Sequence, residues 1–195
     1  MNDRDELRLV RLPMGGVFAI GTPLKITTLL GSCVAACLYD PGAKIGGMNH
    51  ILLPGSMQAG DDGLATRYGV HAMELLINRI MKLGGSKQNL RAKVFGGAKM
   101  LAFAPGLIDI AAMNSEFILE FLKRERIPLA AYSLGGTSAV TVCFEPTTGR
   151  AQIRRIPRQE GREVLAHETT CEARIYRAAP RLIEHSSTLF KDTYE

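Results

Sequence analysis

The sequence predicts a single α/β domain, a layered α/β sandwich in which mixed β-sheets carry two principal helices packed on them. First, 195 residues with 46% hydrophobic and 22% charged residues suffice for one well-packed core. Second, short apolar runs broken by Gly and Pro are typical of strands joined by tight turns. Third, two stretches repeat apolar residues at spacings of three and four, as amphipathic helices do. The elements interleave without the regular alternation of a doubly wound fold.

Four strands are predicted in the first half of the chain, at 16–21, Lys25–Leu30, 33–39 and 45–53. Between the last two lies Asp40-Pro41-Gly42. Proline presets φ for a turn and glycine accepts the left-handed position, so we expect a hairpin here. The hairpin would place Cys33 and His50 on neighbouring strands. The polar stretch 54–62 that follows is predicted to be a surface loop.

The first helix is predicted at 66–83, with Gly84-Gly85 as its stop, and the second at about 114–126, ending before Pro128. Further strands are predicted at 90–95, Leu129–Leu134, 140–144 and 151–156. The polar segment after them is expected to be partly helical. We therefore divide the chain into a domain at 1–158 and a C-terminal extension at 159–195.

Composition excludes several classes of protein. The 24 basic and 19 acidic residues leave a net charge of +5, below the density of a dedicated nucleic-acid binder. No signal peptide or membrane span is recognisable, so we expect a cytoplasmic protein without direct membrane insertion. Four cysteines are too few for a disulfide framework. Cys33 and Cys37 would lie about 13 Å apart along a strand, too far to share a metal ion. No metal or organic cofactor is predicted.

Cys33 is the strongest candidate for a chemical role. It follows Gly31-Ser32 at the start of a strand, where a side chain can be presented to a substrate. A cysteine nucleophile reacts as the thiolate and needs a nearby imidazole or cation. Among the four histidines, the hairpin favours His50, whereas His71 lies on the first helix and the other two lie in the extension. A cysteine at a strand edge is also commonly a small core residue, and that alternative stays open on residue types alone.

Four blocks of sequence resemble the CheD family of chemoreceptor glutamine deamidases. They are Leu30-Gly-Ser-Cys-Val-Ala-Ala-Cys-Leu-Tyr-Asp40, Gly46-Gly-Met-Asn-His-Ile-Leu-Leu-Pro54, Arg67-Tyr-Gly-Val-His-Ala-Met-Glu74 and Lys93-Val-Phe-Gly-Gly-Ala-Lys-Met-Leu101. The likeness spans about two thirds of the chain. It implies hydrolysis of receptor glutamine side chains by a cysteine nucleophile, a histidine base and a threonine. Matched position by position, these are Cys33, His50 and Thr27.

The resemblance also implies partners and a mechanism. The substrates would be the cytoplasmic domains of methyl-accepting chemotaxis receptors, and a CheC-type phosphatase would be a second partner. Backbone N–H groups near Gly31 and Ser32 would stabilise the oxyanion of a thioester-forming step. Two other hypotheses stay open, namely a cysteine amidase acting on another protein and a non-catalytic binding module that regulates the phosphatase.

A basic stretch of sequence suggests how the protein could bind an acidic receptor. Between residues 75 and 108 there are six Lys or Arg residues and no Asp or Glu. We expect Lys87 and Arg91 to take part in electrostatic docking of the receptor, against the alternative that the stretch is an ordinary solvated face.

Overall fold

The computed structural model describes residues 7–53, 62–99 and 109–157, and in 62–67 only the backbone. The predicted loop at 54–62 lies almost wholly outside these ranges, as does the predicted extension at 159–195. The strands are β1 Leu9–Arg11, β2 Val17–Ile20, β3 Lys25–Leu30, β4 Val34–Asp40, β5 Ile45–Ile51, β6 Arg91–Gly96, β7 Leu129–Leu134, β8 Val140–Glu145 and β9 Arg150–Arg155. The helices are α1 Asp62–Lys82, a short 3₁₀ turn at Lys87–Asn89, and α2 Ile110–Arg124.

The strands form two mixed sheets. The five-stranded sheet has the order β2-β5-β4-β6-β7, and the four-stranded sheet has the order β1-β3-β8-β9. In each sheet one edge pair is parallel, β6 with β7 and β1 with β3, and the other pairs are antiparallel. The predicted fold class, a layered α/β sandwich of mixed sheets and two principal helices, is confirmed.

Strand β4 lies at the centre of the layers and is buried on both faces. Its residues Val34, Ala36 and Leu38 pack among the residues of the helices. Ala35 and Cys37 belong to the second apolar cluster, which fills the space between the two sheets. Because successive side chains of a strand point to opposite faces, one strand contributes to both cores. Its first residues are therefore held from two sides.

Helix α1 packs on β5 and β2 through an apolar stripe. Met73, Leu76 and Ile80 are fully buried, at the spacing of three and four that predicted the helix. Burying each such side chain contributes about 1.5–3 kcal/mol relative to exposure. The helix begins four residues before its predicted start.

The predicted hairpin between β4 and β5 is confirmed, with Ala35 opposite His50 in the register. Asp40 closes its turn, since its carboxylate accepts the backbone N–H groups of Gly42 at 2.9 Å, Ala43 at 3.0 Å and Ser86 at 2.9 Å. Burial acts to raise the pKa of this carboxyl, but the hydrogen bonds outweigh it and hold the pKa below its usual value. The turn is thereby tied to the segment after α1.

Besides the earlier start of α1, two elements differ from the sequence prediction. Strand β1 was not predicted, and its three residues are held by parallel pairing with β3 rather than by any apolar alternation. Helix α2 begins at Ile110, earlier than the predicted 114, because the Asp109 side chain accepts the Ala112 N–H at 2.9 Å and caps the helix there.

Candidate active site

Cys33 lies in the three-residue connection between β3 and β4, and its side chain is 0% exposed. Three consecutive carbonyl groups of this connection accept hydrogen bonds. Gly31 accepts from Ala98 N at 2.8 Å, Ser32 from the side-chain amide of Asn114 at 3.0 Å, and Cys33 from Gly97 N at 2.7 Å. These bonds fix the orientation of 31–33, which we call the nucleophile segment.

The close contact between the nucleophile segment and the end of β6 requires glycine. Gly96 has φ +109°, and a Cβ built on it would lie 2.2 Å from the Cys33 carbonyl oxygen. No other residue type fits both this conformation and this contact. The glycine at 96 thus lets the backbone at the end of β6 lie directly against the nucleophile segment.

His50 lies on β5, 4% exposed, and faces the layer between the sheets. Its direct partner Ala35 is two residues after Cys33, so Cys33 and His50 are diagonal neighbours across the strand pair. Diagonal neighbours lie about 7–8 Å apart, within reach of longer side chains. The structure therefore brings the predicted nucleophile and base together.

The imidazole of His50 is oriented by Thr28. Thr28 Oγ1 lies 2.8 Å from His50 Nδ1 and also 2.8 Å from the Leu12 carbonyl oxygen. A hydroxyl has one proton, and only donation satisfies a carbonyl. Thr28 therefore donates to Leu12 and accepts from Nδ1–H, and this network assigns the tautomer with its lone pair on Nε2.

Thr27, which the resemblance matched to the threonine of the family, is not the threonine that hydrogen-bonds His50. Thr27 pairs with Cys143 on the outward face of the four-stranded sheet, and its hydroxyl donates to the Val142 carbonyl at 2.8 Å. Alternation along β3 turns Thr28 inward with its apolar neighbours Ile26 and Leu30. The period-two pattern of Ile26, Thr28 and Leu30 was the signal in the sequence that could have identified Thr28.

The segment after β1 completes the surroundings of His50, and the sequence did not predict its role. The Leu12 N–H donates to Thr27 O at 2.8 Å, which holds the Leu12 carbonyl beside Thr28. The backbone of His50 also pairs with the turn that follows Leu12. Gly15 N donates to the His50 carbonyl at 2.9 Å, and the His50 N–H donates to Gly16 O at 3.0 Å.

Two buried asparagines, whose roles the sequence also did not predict, link the strands of the site to the helices by hydrogen bonds. Asn49 accepts the Ala36 N–H at 3.0 Å and donates to the Ala72 carbonyl at 3.2 Å, which links the hairpin to α1. Asn114 on α2 accepts the Leu53 N–H at 2.8 Å and donates to the Ser32 carbonyl. Asn114 is 0% exposed, and it joins the nucleophile segment to the residues following β5.

Tyr68 of α1 lies within electrostatic range of Cys33. Burial raises the pKa of its phenol to about 12, and the side chain of Cys33 adds to the increase. The phenol therefore stays protonated throughout the physiological range. The sequence placed Tyr68 in a motif block without assigning it a role.

Two further cysteines are poor nucleophiles. Burial raises the pKa of the Cys37 thiol well above its usual value, against the opposing effect of Lys93. Burial also raises the pKa of Cys143, although Lys25 opposes the rise. Both therefore remain thiols near neutral pH. Cys171 lies outside the described residues.

Lys87 and Arg91, the predicted docking residues, are not brought to the site. Arg91 pairs with Tyr39 at one end of the strand pair, whereas Gly96 and Val34 mark the end beside Cys33. Five residues of strand separate the two ends, about 17 Å. Lys87 forms an ion pair with Glu125 at 2.8 Å.

The described residues contain no group of three or more His, Cys, Asp or Glu side chains placed to hold a metal ion. Within the same residues, no helix is long and apolar enough to cross a membrane.

Residues 52–155 match the model of a family described as CheD chemotactic sensory transduction. The chain is also 53% identical over 139 residues to a probable chemoreceptor glutamine deamidase CheD 1 of Ruegeria sp. (strain TM1040), which covers 70% of this chain and 72% of the relative. It is 48% identical over 154 residues to a probable chemoreceptor glutamine deamidase CheD of Xanthomonas campestris pv. campestris (strain B100), covering 78% and 76%.

A probable chemoreceptor glutamine deamidase CheD of Caulobacter vibrioides (strain NA1000 / CB15N) is 49% identical over 131 residues, covering 67% of this chain and 68% of the relative. Among solved structures, the Bacillus licheniformis hypothetical protein YfiH is similar with a TM-score of 0.39 and 16% identity, over 67% of this chain and 61% of that one.

Proposed function

The chain belongs to the CheD family, and from this premise we propose that it hydrolyses glutamine side chains of methyl-accepting chemotaxis receptors to glutamate, with Cys33 as the nucleophile. The observation that carries the proposal is the pair of Thr28 and His50, at 2.8 Å, beside a cysteine held by three backbone carbonyl contacts. A cysteine, an imidazole and a group that orients the imidazole make the arrangement needed for acyl transfer.

The first half of the reaction forms a thioester. His50 Nε2 takes the proton of the Cys33 thiol, and the sulfur attacks the δ-carbonyl carbon of the glutamine. The C–N bond then breaks, and the imidazolium returns the proton to the departing nitrogen, which leaves as ammonia. The backbone N–H groups of Ser32 and Cys33 are the proposed donors to the oxyanion, with Gly31 allowing the segment to turn. Losing one such donor typically lowers the rate by ~10²–10³.

The second half regenerates the enzyme. His50 Nε2 takes a proton from water, the hydroxide attacks the thioester carbonyl, and the C–S bond breaks to give glutamate. The imidazolium then returns the proton to the Cys33 sulfur. Glutamine and water are thus converted to glutamate and ammonia without any change of oxidation state. Thr28 is a positioning residue in both halves, because it holds Nδ1–H and leaves the lone pair on Nε2. A neutral hydroxyl does this more weakly than the aspartate of a serine triad.

The substrates in this proposal are the cytoplasmic domains of the receptors, so the protein would act in the cytoplasm beside the membrane that holds them. Electrostatic docking through Lys87 and Arg91 stays a prediction, and Arg91 is the stronger of the two because Lys87 already forms an ion pair with Glu125. A CheC-type phosphatase remains a second proposed partner.

Mass spectrometry of receptor cytoplasmic fragments tests the proposal. Incubation with the protein should add about 1 Da for each glutamine converted to glutamate, because amide hydrolysis exchanges NH₂ for OH. Cys33→Ala should abolish the gain without unfolding the domain. Its matched control is Cys37→Ala, which removes a buried thiol from the same strand region and should keep activity while lowering stability by about 1 kcal/mol.

The outcomes separate the alternatives. If Cys33→Ala converts glutamine as fast as the wild type, the nucleophile is assigned wrongly. If the wild type converts no receptor glutamine but converts one in another protein, the chain is a cysteine amidase of different specificity. If no glutamine is converted while a CheC-type phosphatase binds, the chain is a binding module.

A further inference from the structure

A polar cleft of about 300 Å³ opens beside the nucleophile segment. One wall is formed by Gly96 and Ala98, and the N–H of Ala98 donates to the Gly31 carbonyl at 2.8 Å. Since Gly96 also approaches the Cys33 carbonyl, the cleft and the nucleophile segment border the same short stretch of backbone. The cleft therefore lies near the segment where the proposed substrate glutamine must enter.

The opposite wall is the connection from β7 to β8. Gly135 and Gly136 have φ angles of +81° and +84°, and a Cβ at either position would meet no atom within 4 Å. Glycine is therefore favoured at these positions by the positive φ angles of the backbone and not by close packing. That wall is open to approach by a ligand.

The groups that line the cleft favour an anion. Three hydroxyl side chains, those of Ser133, Thr137 and Ser138, lie in it with one charged side chain, Arg155, and no lining residue is acidic. Within the described ranges, ion pairs are formed by Lys87, Lys99 and Arg124, and not by Arg155. A guanidinium offers a planar fork of N–H donors that matches a carboxylate in two parallel hydrogen bonds.

The volume of the cleft indicates what enters it. Pockets for whole small-molecule ligands span about 300–1,000 Å³. This cleft is at the lower limit, which suits the end of one side chain better than a nucleotide or a sugar. Its place beside Cys33 indicates that this side chain belongs to the substrate.

We propose that this cleft is a subsite for a carboxylate of the substrate polypeptide, with Arg155 as its cationic partner. The inference rests on the proposed deamidation and adds a specificity determinant to it. A glutamine with an Asp or Glu within about two helical turns is then preferred over one with neutral neighbours.

The test compares kcat/KM for receptor cytoplasmic fragments, followed by the gain of about 1 Da, between the wild type, Arg155→Gln and Arg154→Gln. Arg155→Gln should lower kcat/KM about tenfold, because a charge-assisted contact is lost. The loss should be mainly an increase in KM, since the contact is made equally in the bound substrate and in the transition state. Arg154→Gln is the matched control, because Arg154 is also exposed but alternation turns it to the other face of β9.

Substrate variants identify the group that Arg155 binds. Replacing the acidic neighbour of the target glutamine by Gln should lower kcat/KM for the wild type and leave the value for Arg155→Gln unchanged. Pairing Arg155→Glu with a fragment that carries Lys at that neighbour should recover part of the loss. Equal thermal unfolding midpoints for the variants would exclude a folding defect as the cause.

Each failure has a distinct pattern. No gain of mass with the wild type overturns the proposed function and, with it, the substrate subsite. Deamidation that proceeds equally well with Arg155→Gln and the wild type overturns the subsite alone. Inhibition of the wild type by inorganic phosphate that disappears in Arg155→Gln, with no effect of the acidic neighbour, would assign the cleft to a free anion and also overturn the proposal.

Discussion

Asn114 offers a sharp test of how the nucleophile is positioned, because it lies on α2 and does not contact the reacting atoms. Its side-chain oxygen accepts the Leu53 N–H at 2.8 Å and its NH₂ group donates to the Ser32 carbonyl at 3.0 Å. Asn114→Ala removes both bonds from a fully buried place. Two backbone groups then lose their partners.

The structural cost of Asn114→Ala can be estimated from these two bonds. A buried backbone group left without a partner costs about 1–3 kcal/mol, so the free energy of unfolding should fall by about 2–6 kcal/mol. A domain of this size is stable by about 5–15 kcal/mol, so most of the expected range leaves it folded. Urea denaturation followed by circular dichroism measures the change.

The expected loss of kcat in Asn114→Ala is larger than its loss of stability alone would explain. Releasing the Ser32 carbonyl frees one of the three contacts that orient the nucleophile segment. A displacement of about 1 Å at a reacting group can lower the rate about 10²-fold. We therefore expect kcat on receptor fragments to fall about 10–100-fold, with KM nearly unchanged, when assayed where the variant is fully folded.

Ile118→Ala is the matched control, since Ile118 is fully buried one turn further along the same helix. Truncating a buried isoleucine costs about 2–5 kcal/mol, a loss similar to that of Asn114→Ala. The Ile118 variant should nevertheless keep its kcat within about twofold, because no hydrogen bond to the nucleophile segment is lost. If Asn114→Ala and Ile118→Ala have the same kcat, the positioning role is refuted.

Three further predictions concern other contacts of the structure. Thr28→Val should lower kcat about tenfold or more by releasing the imidazole, whereas Thr27→Val should leave it nearly unchanged, and equal losses in the two variants would contradict the assignment of Thr28. Asp40→Asn should lower the free energy of unfolding at pH 7 by about 1–3 kcal/mol in urea denaturation. Hydrogen bonds keep the native pKa of Asp40 low, so its contribution is present above about pH 4 and is lost as the pH falls through that native pKa. A difference between the two proteins that does not shrink as the pH is lowered from about 4 would contradict this. Lys87→Glu combined with Arg91→Glu should lower kcat/KM on receptor fragments at about 50 mM salt, with a smaller effect at about 300 mM, and an effect independent of salt would remove these residues from docking.

Local signals in the sequence predicted most of the fold. The Asp40-Pro41-Gly42 turn predicted the hairpin, and the apolar spacing of Met73, Leu76 and Ile80 predicted α1, because turn chemistry and helical periodicity depend on neighbouring residues. Strand β1 could not be predicted in this way. Its three residues are placed by pairing with β3, a contact between distant segments.

The same distinction, between signals from neighbouring residues and contacts between distant segments, applies to the candidate site. Cys33 and His50 stood out because a single hairpin joins them, and the structure places them as diagonal neighbours. Thr27 was chosen by alignment of a motif, whereas the choice between adjacent threonines depends on which face of β3 is buried. Asn114 acts across 82 residues of sequence, and no spacing rule reaches that far.

The hydrogen bond from Thr28 to Leu12 has a consequence for the boundaries of the catalytic unit. A fragment that started after Leu12 would retain every side chain in the proposed reaction, yet its Thr28 hydroxyl proton would no longer be committed to a carbonyl. The hydroxyl could then donate to Nδ1, and the lone pair would move away from Nε2. The tautomer of the imidazole thus depends partly on a main-chain carbonyl, that of Leu12. Substituting side chains leaves this carbonyl in place and would not show its role.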